Sequence, residues 1–147
     1  MSDASTVGSH IASSLFSNID VSTDRSSLKA NGSWPDIDYQ NQGMADWKTI
    51  VHLNRTWDMA RQWGWGHSQG SPDSTLAGQV QLALGYWLDN DFINVGNWFP
   101  NDISVPYIVG TSMLIMGGAI TLTSGQSSAA DSILARRADK ALPGVNY

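Results

Sequence analysis

The chain has 147 residues, 41% apolar and 14% charged, with a formal net charge of −5; this length suits one folding unit and this balance a packed core. The absence of cysteine excludes a disulfide scaffold, a thiolate zinc site and a cysteine nucleophile. The eight Lys and Arg residues are scattered apart from the pair Arg136-Arg137, so no basic stripe can neutralise a run of phosphates, and nucleic acid is not an expected partner.

Met1 to Phe16 has neither the basic head nor the long apolar stretch of a signal peptide. The spacing of Val7, Ile11, Leu15 and Phe16 predicts a first helix within 5–18, and residues 1–24 as a whole read as a peripheral or poorly ordered segment. From Val21 to Gly43 the sequence is rich in Ser, Asp, Asn, Gly and Pro, and reads as an ordered loop pinned to the body through Trp34, Ile37 and Tyr39. Over 44–63, Trp47, Ile50, Val51, Trp57, Ala60 and Trp63 recur every three or four residues, which predicts a second helix ended by Gly64-Trp65-Gly66-His67.

Ser71-Pro72 predicts the start of a third helix with an apolar face of Leu76, Val80, Ala83, Leu84, Trp87 and Leu88, broken by Asp89-Asn90-Asp91. A linker follows from Phe92 to Pro106. The nearly uncharged run Val105–Leu122 is only at the lower limit of bilayer length and contains glycine, proline, Ser and Thr. It reads as a buried helix with Val105, Ile108, Val109, Ser112, Met113 and Met116 on one face, and no membrane partner is expected. A last helix begins between Ser124 and Ser127 and runs to Ala141, stopped by Pro143-Gly144. No stretch alternates as a strand, so the expected class is all-α, built of antiparallel helices.

Chemistry-bearing constellations are few. His10, His52 and His67 show no metal-ligand spacing and the chain has no glutamate, so neither a metal nor a cofactor is expected. His52, in mid-helix, reads as a hydrogen-bonded structural residue, and His67 as a residue that either lines a groove or packs. The pairs Asp36/Asp38 and Asp89/Asp91 suit turns and caps better than glycoside hydrolysis. Asn31 and Asn54 match the glycosylation pattern, a signal of low specificity. Seven tryptophans, at 34, 47, 57, 63, 65, 87 and 98, suggest flat faces that stack on a ligand as well as core packing. Asn97-Trp98-Phe99-Pro100-Asn101-Asp102 places adjacent aromatics in a polar, proline-stiffened loop, where stacking and core filling are both open readings.

The ordered series Gly32-Ser33-Trp34-Pro35-Asp36-Ile37-Asp38-Tyr39, Trp47, His52-Leu53, Arg55, Tyr86-Trp87-Leu88, Asn97-Trp98-Phe99, Asn101-Asp102-Ile103 and Val105-Pro106 resembles polysaccharide lyase family 8, which contains hyaluronate, chondroitin AC and xanthan lyases. The resemblance covers roughly residues 25–125. It implies an incomplete α/α toroid of antiparallel helical hairpins, with residues 1–147 forming the N-terminal part of the helical domain. It also implies a secreted enzyme that cleaves uronic-acid-containing polysaccharides by β-elimination.

On that resemblance Asn97, Trp98 and Phe99 are the substrate-binding residues, while the catalytic asparagine, histidine, tyrosine and arginine belong to a segment expected to follow Tyr147. No catalytic residue is therefore assigned here, and the partners expected are a polysaccharide and the remainder of the same enzyme. Family members usually carry tryptophan at the position of Phe99, which keeps a ring face but lacks the indole N–H. The competing expectation is a self-sufficient carbohydrate-binding helical domain.

Overall fold

The computed structural model describes residues 15–140, with side chains described as far as Arg137. Among these residues there is no strand. The elements are α1 (Ser22–Ser27), a 3-10 turn (Lys48–Ile50) leading into α2 (Val51–Ser68), α3 (Ser74–Asn90), a π-helical turn (Pro100–Ser104) leading into α4 (Val105–Met116), a 3-10 turn (Gly117–Ala119) and α5 (Ser124–Lys140).

Short connections fold α2 against α3 and α4 against α5 as antiparallel hairpins. Trp47, at the entry to α2, meets Trp87 near the end of α3, and Trp63 near the end of α2 shares a cluster with Leu76 and Ala77 at the start of α3. In the second hairpin Arg137 lies over Tyr107, so the end of α5 returns to the start of α4. The hairpins pack side by side with α2 on α4 and α3 on α5. One core cluster joins Trp34, Met59, Trp63, Val80 and Met116, and a second joins Trp47, Leu53, Trp87, Val109 and Ile133.

The second helix starts and ends later than the sequence predicts, because α2 runs through both Gly64 and Gly66. Gly64 serves packing: a Cβ there would lie 2.2 Å from the Phe16 ring, so the missing side chain makes room for the ring without ending the helix. The buried stripe of α2 is also rotated from the predicted one, comprising His52, Leu53, Thr56, Met59, Ala60, Trp63 and Gly64, with Trp57 at its margin. Polar groups join this stripe because they are bonded; Thr56 Oγ1 donates to His52 O over 2.8 Å.

The cap of α3 is Asp73, whose carboxylate accepts the Leu76 N–H at 3.0 Å, in place of the expected Ser71-Pro72. That hydrogen bond, aided by Arg25 at 2.9 Å, holds the Asp73 carboxyl below its ordinary range. The predicted linker 92–106 contains the π-helical turn, with Pro100 at its first position where no N–H is required. Thr123 and Gln126 form a reciprocal capping box at the start of α5: Gln126 N–H donates to Thr123 Oγ1 at 3.1 Å, and Thr123 N–H to Gln126 Oε1 at 3.0 Å.

The segment 1–24 divides. Residues 1–14 and most of the predicted first helix lie outside the described residues, whereas Phe16 and Ile19 pack on the first core cluster and Val21 is part of it. None of the helices among the described residues is long and apolar enough to cross a membrane, and α4 has only 12 residues.

Candidate saccharide-binding site

Most of the motif residues quoted above build a buried scaffold. Trp34 is 1% exposed and donates its indole N–H to Asp24 O at 2.9 Å, so it packs the fold and offers no face to a ligand. Tyr39 Oη accepts the Trp34 N–H at 3.0 Å and lies 2.8 Å from His52 Nδ1, while His52 Nε2 lies 2.6 Å from Ala83 O. A carbonyl only accepts, so Nε2 carries the proton and Nδ1 accepts from the Tyr39 hydroxyl. Burial lowers the His52 pKa from 6.5 to about 4 and raises that of Tyr39 to about 12. This chain of bonds ties the 31–43 loop to α2 and α3, and His52 is structural.

The paired acids also serve the scaffold. Asp36 accepts two hydrogen bonds from Arg55, at 2.8 and 2.6 Å, which hold its carboxyl below the ordinary range. Asp38 accepts the Gln40 N–H at 2.9 Å in a turn. Asp91 caps α3 in the left-handed conformation, φ 43°, and pairs with Arg136 at 3.1 Å. Among the described residues no group of His, Asp or Glu could hold a metal ion.

On this scaffold the loop after α3 presents two rings. Trp98 is 59% and Phe99 51% exposed, with centroids 5.8 Å apart and planes at 67°. Their backbone is held from below by side-chain amides. Asn97 Nδ2 donates to Met44 O at 2.8 Å, and its Oδ1 accepts the Phe99 N–H at 3.1 Å. Buried Asn94 donates to Gly43 O at 2.8 Å, and Asn101 brackets it by accepting the Asn94 N–H at 2.8 Å and donating to Asn94 O at 2.7 Å. Arg136 Nε in turn donates to Asn101 O at 3.1 Å.

The structure thus brings Asn97, Trp98 and Phe99 together as an exposed aromatic pair on a braced loop, the geometry that suits the apolar face of a pyranose. The bracing role of Asn94 and Asn101 emerges only in the fold, although the Asn-rich spacing around Trp98 is visible in the sequence. Trp65 is 37% exposed and lies near the C-terminal end of α2, away from this pair. His67 stacks on Trp63 at 4.9 Å and 13° beside an apolar groove at that same end.

The helical architecture agrees with comparisons to known proteins. The description "polysaccharide lyase family 8, N terminal alpha-helical domain" matches residues 10–142, and the chain belongs to that family. Chondroitinase-AC of Pedobacter heparinus is 28% identical over 89 residues, which cover 60% of this chain and 13% of that protein. A chondroitinase AC lyase, whose structure was determined in enzyme-oligosaccharide complexes, superposes with a TM-score of 0.71 at 20% identity, over 89% of this chain and 20% of that one. The fold is accordingly an incomplete section of an α/α toroid, and the chain spans only a small part of the length of these relatives.

Proposed function

We propose that this chain is the N-terminal, substrate-orienting part of an extracellular polysaccharide lyase acting on uronic-acid-containing polysaccharides, with Asn97, Trp98 and Phe99 forming its sugar platform. The observation that carries this reading is the pair of half-exposed rings on a loop braced by Asn94, Asn97 and Asn101. Rigid bracing lets the rings meet a sugar face without losing loop freedom on binding, so more of the stacking energy appears as affinity.

In β-elimination the uronate carboxylate is neutralised by hydrogen bonding, a base removes the C5 proton, the C4–O bond breaks and the leaving oxygen is reprotonated, giving a C4=C5 double bond. Those steps need acid and base groups within hydrogen-bond reach of the reacting atoms. Neither described histidine meets that need at the platform: His52 is buried in the scaffold and His67 sits at the far end of α2. On the family resemblance, the reading assigns binding to this chain and elimination to residues outside it.

Titration of the purified chain with a chondroitin oligosaccharide, followed by tryptophan fluorescence, tests the assignment. Trp98→Ala is expected to weaken binding about tenfold, about 1.4 kcal/mol, with a smaller effect on the urea midpoint because the ring is more than half exposed. Equal affinity of wild type and variant would contradict the platform. Formation of unsaturated uronate by the purified chain, free of contaminating lyase, would contradict the division of labour.

A further inference from the structure

An acidic chain that takes a polyanionic glycan needs a cation with nothing else to neutralise it, and the arginines differ in this respect. Arg25 pairs with Asp73, Arg55 with Asp36 and Asp24, Arg61 with Asp58, and Arg136 with Asp91. Arg137 has no such carboxylate among the described residues. Its guanidinium lies over the Tyr107 ring at 5.9 Å and reaches Ile103 O at 3.5 Å. Arg137 thus keeps its charge at the surface, held in place by an aromatic ring and a carbonyl.

Beside it runs a groove of about 530 Å³ between α2 and α4, with Phe99 at one wall and Asn54, Trp57, Tyr107 and Arg137 among the others. Trp57 and Tyr107 meet edge to face at 5.7 Å and 84°, and Tyr107 is 43% exposed. The volume falls in the range of small-ligand sites, and aromatic walls with a few polar groups are their usual lining. Phe99 belongs to the exposed pair and to the groove wall alike, so the platform and the groove adjoin.

We infer that this groove is a second saccharide subsite, in which Arg137 pairs with the carboxylate of a uronate residue while Tyr107 and Trp57 receive the sugar body. The inference rests on the reading of Trp98 and Phe99 as a sugar platform and adds a specificity-determining residue to it. A guanidinium presents two parallel N–H groups to a carboxylate, so the pairing selects acidic over neutral glycans. Because the pair is exposed at the groove rim, its contribution is screened by salt.

The test compares wild type, Arg137→Gln and Trp98→Ala against an unsulfated chondroitin oligosaccharide and the same oligosaccharide with its carboxyl groups reduced to alcohols. Arg137→Gln is expected to weaken binding of the acidic ligand about tenfold and to leave the reduced ligand unaffected, while Trp98→Ala weakens both. The wild-type preference for the acidic ligand should shrink as salt is raised. Unchanged affinity of Arg137→Gln for the acidic ligand, or an equal loss for both ligands, overturns the subsite. If Trp98→Ala still weakens both, the platform survives that failure; if wild type binds neither ligand, the platform reading falls as well.

Discussion

Gly32→Ala should destabilise the chain by about 3 kcal/mol or more, among the largest effects available to a single added methyl group. Gly32 has φ +89°, a conformation that carries a penalty of about 1–2 kcal/mol for any residue with a Cβ. An added Cβ would also lie 2.1 Å from Leu82 O and 2.6 Å from Leu82 C, which belong to the backbone of α3 and cannot rotate away. The loop must retreat from the helix, dragging at Ser33 and Trp34, which are 5% and 1% exposed.

The control is Gly70→Ala, where φ is +77° and no atom lies within 4 Å of the added carbon. It incurs the conformational penalty alone. Urea unfolding of the two variants separates the terms: Gly32→Ala should lose clearly more stability than Gly70→Ala. Equal losses would mean that the 31–43 loop is not seated on α3 as described.

The second large effect is acid destabilisation through His52. Its imidazole titrates near 6.5 in an unfolded chain and at about 4 in the folded one, because burial disfavours the charged ring. Between those values the unfolded state binds the extra proton, so stability present above about pH 6.5 is lost as the pH falls towards 4. At about 1.4 kcal/mol per pKa unit the full loss is about 3 kcal/mol. Asp36 and Asp73 are held below the ordinary carboxylate value, so their losses come at lower pH, outside this window. Asp24, raised chiefly by burial, works in the opposite direction near the lower edge.

Unfolding free energies measured by urea titration across this pH range should fall with acid in the wild type and run nearly level in His52→Gln, whatever that variant loses overall. A His52→Gln slope equal to that of the wild type would place the acid sensitivity elsewhere.

These two positions also show what was legible in the sequence and what was not. Apolar recurrence located α2, α3 and α4, and of the face expected on α4 Val105, Ile108, Val109, Ser112 and Met116 are buried while Met113 is only partly so; α5 was located by its start and stop signals. Gly64 and Gly66 misled the assignment of the α2 terminus because glycine has two uses: it ends helices, and it also admits a close neighbour, here the Phe16 ring. Nothing local to Gly64 announces a residue 48 positions away.

The motif around Gly32 to Tyr39 was legible as a family resemblance and as a loop pinned through Trp34 and Tyr39, but the bonds that pin it were not. Its strongest residues hold the scaffold: Gly32 against α3, Trp34 in the core, Asp36 on Arg55, and Tyr39 on His52. The exposed rings of Trp98 and Phe99 were equally compatible with a core position, since tryptophan commonly packs inside. The choice is made by Asn94, Asn97 and Asn101, which satisfy the loop backbone from beneath and leave the rings outside. Arg137 was hidden for a related reason. Its adjacency to Arg136 is plain, yet only the folded chain pairs Arg136 with Asp91 and leaves Arg137 beside Tyr107.

The central claim is that a glycan lies on Trp98 and Phe99. The most direct measurement is residue-resolved NMR of the chain titrated with an unsulfated chondroitin oligosaccharide. The account predicts saturable shifts of the Trp98 indole N–H and the Phe99 backbone amide, with the Trp34 indole and the His67 end of α2 unchanged. Saturable shifts confined to the groove around Trp63 and His67, or no saturable shift at Trp98, would contradict it.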